Sequence, residues 1–243
     1  MKRVLAVALS LVMVGMLVVG CGGGGGDKKP ADGGDSGELK TLNVTVGPNP
    51  ETLDPTMNST VDGAIYSTHL FEGLMRYDWD KGDMTKVQLG VAEKVDVSED
   101  GKTFTYTLRE DAKWSDGEPI KAADFEYSFK RLVDPKTAAP YASDMGKYIL
   151  NASDIIEGKK EVSELGVKAI DEKTLEVKAE SRITYFDWIM AFPTFSPLRQ
   201  DMVEKGGEGW YKDPSTMVTN GAFKMKEFQP DGKLSVEPNE NYW

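Results

Sequence analysis

One cysteine and one histidine are all that 243 residues supply of the side chains that most often bind zinc or pair covalently. A single thiol forms no internal disulfide, and a lone imidazole builds no histidine cluster. A zinc site would have to rest mostly on carboxylates, which is unusual for that ion. No metal or cofactor is expected. Cationic surplus is missing too: 29 Lys and Arg stand against 40 Asp and Glu, a net charge of -11. A polyanion is repelled on average, and no basic stripe interleaved with aromatics overcomes that, so nucleic acid is not expected as a partner. Catalytic signatures are also lacking. There is no Gly-x-Ser-x-Gly elbow, no His-Glu-x-x-His, no Cys-x-x-Cys and no dinucleotide fingerprint. Gly101-Lys102-Thr103 ends like a phosphate-binding loop, but Asp96 stands where that loop needs its first glycine. Carboxylate pairs such as Asp80 and Asp83 read as surface charge. Glycosidase chemistry stays open only in that separation in space is not read from sequence. Nothing points to an enzyme. With 40% hydrophobic and 28% charged residues the chain has a globular balance, so an acidic binding module is the simplest reading.

Long apolar runs are scarce as well, and the one that occurs is informative. Lys2 and Arg3 precede Val4–Val19, a stretch of signal-peptide type that is short for a membrane span of about 20 residues. The residues Val18-Val19-Gly20-Cys21 resemble a bacterial lipobox, in which the cysteine sulfur receives a diacylglycerol and cleavage falls just before it. Two or three acyl chains then anchor firmly where one holds marginally. Residues 1–20 are thus expected to be a lipoprotein signal peptide and Cys21 the lipid attachment site. Residues 21–38, rich in Gly, Asp, Ser and Lys, are expected to be a flexible tether.

Beyond the tether the pattern alternates between strand and helix. Residues 39–47 put Leu42, Val44 and Val46 on one face of a strand. A Pro-punctuated loop follows. Residues 60–77 have helical spacing, with Ile65, His69 or Leu70, and Leu74, while Gly63 and Gly73 weaken or end the helix. His69 reads as a surface or packed histidine. Residues 93–110 form a hairpin about a two-residue Asp100-Gly101 turn, with Phe104, Tyr106 and Leu108 on one face. Ser115-Asp116-Gly117 marks a turn. Residues 121–132 form a helix with Phe125, Phe129 and Leu132 as its buried stripe, stopped by Asp134-Pro135. Residues 164–180 read as strand, turn, strand, with Leu175, Val177 and Ala179 facing one way. Residues 183–192 read as helix, and 220–243 as a second hairpin around Asp231-Gly232. The class expected is mixed α and β, of α+β type.

Specific stretches add a resemblance. Asp100 to Pro135 is similar to the signature region of the peptide-binding proteins of bacterial ABC importers, the family 5 extracellular solute-binding proteins. "LFEGL" (Leu70 to Leu74), "GVAEKV" (Gly90 to Val95), "PYAS" (Pro140 to Ser143), "IIEGKK" (Ile155 to Lys160), "LGVKAIDEKTLEV" (Leu165 to Val177), "VTNGAFKMKEF" (Val218 to Phe228) and "NENYW" (Asn239 to Trp243) sit in that family's order. "PYAS" with "IIEGKK" points to the oligopeptide-binding branch. The resemblance implies a periplasmic-binding-protein-like first lobe whose second lobe is absent from this chain. It implies that 39–71 and 199–243 belong to one incomplete first domain and that 72–198 form a smaller domain packed on it. It further implies an oligopeptide ligand held chiefly by main-chain hydrogen bonds, ABC importer membrane subunits as partners, and an extracytoplasmic, lipid-anchored location.

Four ligand-binding positions follow from the resemblance. Val61, with Ser59 beside it, falls on the extended segment that pairs with the peptide. Ser59 itself stands where a relative carries an acidic residue near the peptide's amino terminus. Tyr141 falls where a tyrosine contacts ligand, and Phe192 on a pocket position that can be polar in relatives. Core packing is the competing reading for Tyr141 and Phe192. Lys121 departs from the family as a poor helix cap. Two other functions stay open: a secreted hydrolase, and a surface lipoprotein that has lost ligand binding. A nickel carrier is disfavoured, since His69 is the only imidazole.

Overall fold

The computed structural model describes residues 40–47, 49–78 and 83–243, with the backbone alone at Asp83 and Met84. Cys21, the apolar run before it and the tether lie outside the described residues. The chain divides into two units, Met1–Val44 and Thr45–Trp243. In the first, the described residues 40–44 have no regular secondary structure, and Leu42 and Val44 are 83% and 70% exposed. The strand expected over 39–47 is not formed. Alternation supplies an apolar face, but a strand also needs a neighbour for its N–H and C=O groups, and no described residue pairs with this one.

In the second unit, helix α1 (Val61–Leu70) starts at Thr60, whose hydroxyl accepts from the Gly63 N–H at 3.1 Å. It stops at Leu70, shorter than its spacing predicts, and the chain continues as strand β1 (Met75–Asp78). The cause is tertiary. The carbonyls of Gly73 and Leu74, which a longer helix would use internally, accept from Val91 and Gly90 at 2.9 Å, and Leu70 O accepts from Gly221 at 2.8 Å. Such long-range partners override local propensity. Strand β1 pairs antiparallel with β2 (Asp83–Leu89), Met75 lying opposite Leu89.

Strands β3 (Ala92–Val97) and β4 (Thr103–Leu108) form the expected hairpin, and Phe104, Tyr106 and Leu108 are all buried on one face of β4. Its turn is longer than expected. The Ser98 N–H donates to Thr103 O and the Gly101 N–H to Ser98 O, both at 2.9 Å, so four residues make the connection and not two. Gly101 does take the positive φ, 68°. The carboxylate of Asp100 holds the loop by accepting from the Ser98 hydroxyl and the Lys102 N–H, and these bonds lower its pKa.

Helix α2 (Ala122–Val133) buries Phe125, Phe129 and Leu132 completely, as its period predicts, and ends at Asp134. Lys121 makes no side-chain cap and reaches to Glu172 instead; Asp124 completes the helix start by accepting from the Lys121 N–H at 2.9 Å and the Trp114 Nε1–H at 3.0 Å. Short helices α3 (Ala142–Met145) and α4 (Ala152–Ile156) lead to β5 (Val167–Ala169) and β6 (Thr174–Lys178). These complete one antiparallel sheet in the order β3-β4-β6-β5, with Leu175, Val177 and Ala179 buried as predicted. Helix α2 packs on its β5–β6 end. Helix α5 (Phe186–Met190) is shorter than the predicted 183–192, and its Phe186 stacks on Phe104 at 4.2 Å. After α6 (Gln200–Gly206), β7 (Phe223–Gln229) and β8 (Lys233–Pro238) form the second hairpin. There the left-handed residue is Asp231, φ 60°, and not Gly232. Every strand pairing among the described residues is antiparallel, which places them in the α+β class.

Candidate functional site

The loop before α1 is anchored from inside. Asp54, 2% exposed, accepts from both Arg131 nitrogens of α2 (3.1 and 2.6 Å), from Trp210 Nε1 at 3.1 Å and from the Thr56 N–H at 3.0 Å. A carboxylate removed from water in this way is compensated only because its oxygens are fully engaged. The loop then rises to the surface, where Ser59 is exposed and Val61 is 79% exposed. Thr60 is extended, φ −114° and ψ 151°. Val61 is not: it opens helix α1, so the extended segment expected there stops one residue earlier, where the Thr60 cap turns the chain into its first helical turn.

Tyr141 and Phe192 meet. Their rings lie edge to face with centroids 5.2 Å apart, a favourable quadrupolar arrangement. Tyr141 precedes α3, and Phe192 follows α5, half-buried with one side against the core. The other side of Phe192 lines a cleft of about 200 Å³ whose far wall is the second half of α1, Ser67 and Thr68. Val61 begins that same helix, about 9 Å along the axis from Ser67. The structure therefore joins Tyr141 to Phe192 directly and relates Ser59 and Val61 to them through α1, with no contact across.

Segments far apart in sequence converge on this cleft. Asn220 clasps the backbone of Glu72, accepting from its N–H at 3.1 Å and donating to its carbonyl at 2.8 Å. Gly221 lies so close to α1 that a Cβ would come within 2.6 Å of His69 O. Asn239 donates to Gly221 O at 2.9 Å, and the Tyr242 hydroxyl donates to the Glu72 carboxylate, which also faces Arg76 at 3.5 Å. Trp243 lies under the Arg109 guanidinium, 3.9 Å from its ring centre, a cation–π contact. Burial pushes the Tyr77 hydroxyl, on the same cleft, above its usual pKa. Sequence reasoning did not single out Glu72, Asn220, Asn239 or Tyr242. Their signal was available, since each lies inside a stretch quoted above. Arg131 lies likewise inside Asp100 to Pro135, whereas Asp54, 77 residues from it, carried no signal.

Comparison with known proteins finds relatives of this chain. Residues 86–243 match the model of the bacterial extracellular solute-binding proteins, family 5 Middle. The periplasmic oligopeptide-binding protein OppA of Escherichia coli is 42% identical over 85% of this chain and 37% of its own length. The oligopeptide-binding protein OppA of Bacillus subtilis is 33% identical over 100% of this chain and 44% of its own length. Listeria monocytogenes OppA bound to peptide superposes with a TM-score of 0.78 at 37% identity, covering 83% of this chain and 39% of that one. The chain thus spans well under half the length of the relatives it matches.

Proposed function

Because the chain belongs to the bacterial extracellular solute-binding proteins of family 5, we propose that it serves as the receptor of an ABC importer for oligopeptides. It supplies part of the binding surface, and a second lobe supplies the rest. The observation that carries the reading is family membership joined to an accessible strip: Ser59 and Val61 are exposed at the start of the helix whose later residues wall a cleft, and Phe192, packed on Tyr141, lines that cleft too. Peptide is held along Ser59 and Val61 by main-chain hydrogen bonds, a form of strand addition, while Tyr141 and Phe192 take apolar side chains. Recognition of the main chain is blind to sequence and gives broad specificity. Residues 39–71 with 199–243 form the first domain and 72–198 the smaller one. Closure is a hinge motion favoured because ligand touches both lobes. Cys21 carries lipid and keeps the receptor at the outer face of the cytoplasmic membrane, beside the importer's membrane subunits. The ligand is passed on without chemical change.

A pool of tri- to pentapeptides, incubated with a chain that carries the second lobe and recovered for mass spectrometry, tests this. Intact peptides retained on the protein are expected. Cleaved peptides would make it a hydrolase, and neither capture nor cleavage would leave a surface lipoprotein without ligand.

A further inference from the structure

The segment leading into α1 is gripped from one side only. Asn58 is buried, and its side-chain amide pairs at two points with the backbone of Thr60: Nδ2 donates to the Thr60 carbonyl at 3.0 Å, and Oδ1 accepts from the Thr60 N–H at 3.2 Å. The same Oδ1 accepts from the Thr60 hydroxyl at 3.1 Å. Asn58 in turn hangs from the anchored loop, its N–H donating to Asp54 O at 3.0 Å. A two-point contact with one residue's N–H and C=O is what a neighbouring strand would make. In extended backbone, successive residues point these groups to opposite sides. Thr60 turns this pair of groups toward Asn58, while Ser59 beside it is exposed. The N–H groups of Ser59 and Val61 have no hydrogen-bond partner among the described residues, and that of Val61 belongs to the first turn, where the helix has no use for it.

Gly63 is part of the device. A Cβ there would lie 1.8 Å from Asn58 Oδ1 and 2.6 Å from its Cγ. Only glycine lets the amide lie against the first turn of the helix.

We infer that Asn58 is a positioning residue for the ligand: it fills the inner edge of residues 59–61 and so leaves their outer edge as a preformed template for a peptide's main chain. This rests on the reading that peptide binds along Ser59 and Val61. Asn58 never touches ligand. It removes the cost of ordering the template at the moment of binding.

The complete gene product is titrated with a tripeptide and with the same tripeptide N-methylated at each amide in turn. Wild type should lose about tenfold in affinity for at least one N-methylated form, the worth of one main-chain hydrogen bond. Asn58→Ala should bind the parent peptide about tenfold more weakly and should discriminate little between parent and N-methylated forms, because the template is no longer held. A role in folding alone would weaken all the peptides by one factor and leave the ratio unchanged; that result overturns the inference and leaves the peptide reading standing. Should Asn58→Ala not fold, Gly63→Ala displaces the same amide while raising helix propensity, and the same loss of discrimination is expected of it. Wild type that binds no peptide would overturn the reading and the inference together.

Discussion

A single carboxylate ties three distant parts of the second unit together. Asp54 is buried and engages Arg131, Trp210 and the Thr56 N–H. Removing one partner of such a pair leaves the other charge buried without compensation, which typically costs about 3–5 kcal/mol. Asp54→Ala should therefore lower the free energy of unfolding by about that amount, seen as a lower urea midpoint at unchanged slope; a loss under about 1 kcal/mol would mean that Arg131 finds water or another acceptor. Asp187 is a contrasting case. Burial raises its pKa, and one of its oxygens, Oδ1, has no partner. A carboxyl with a raised folded pKa favours folding below the unfolded value of about 3.9 and loses that contribution as pH rises through the folded value. Asp187→Asn should thus melt higher than wild type at pH 7, and the gap should close as pH falls toward 3. A gap that widens in acid would contradict this sign. Neither residue was legible in sequence, because burial and partners come from packing. The lone histidine was read as surface or packed, and it is exposed, its ring nitrogen bonding Ile65 O of its own helix at 2.7 Å.

Elements were legible where the local pattern and the tertiary demand coincide. The alternation of β4, the i, i+4, i+7 stripe of α2 and both Asp-Gly hairpins needed no distant information. Pattern failed where backbone partners decide. Residues 71–77 have helical spacing but are drawn into contact with 83–91, and 40–47 alternate without a strand beside them among the described residues. Loop length also escaped, since Asp-Gly marks a turn without counting its residues. Gly101 itself gives a sharp test. Its φ of 68° is one that β-branched residues resist, and a Cβ would meet Arg182 Cγ at 3.0 Å. Gly101→Val should cost about 1–3 kcal/mol in chemical denaturation, while Gly232→Val, at a glycine without positive φ, should cost less. Equal losses would show that the left-handed conformation at Gly101 is not the cause.

For the whole molecule, the family and the order of its motifs were within reach of sequence, whereas their convergence on the cleft and the Asn58 grip were not, since these depend on how segments cross. The anchor is testable in cells: Cys21 should add the mass of a lipid, and Cys21→Ser should abolish both that mass and partition into detergent. A water-soluble mature chain starting elsewhere would contradict it. The central claim is that peptide is held between two lobes. An open surface leaves peptide amides hydrated, so each hydrogen bond gained there nets only about 1 kcal/mol, against roughly 4 kcal/mol or more of lost translational and rotational freedom. The most direct measurement is calorimetric titration of a tri- to pentapeptide pool into residues 21–243 and, in parallel, into a chain that also carries the second lobe. The longer chain should bind at a Kd of about 1 μM or tighter and the shorter one weakly or not at all. Equally tight binding by residues 21–243 alone would show that one lobe suffices and contradict the account.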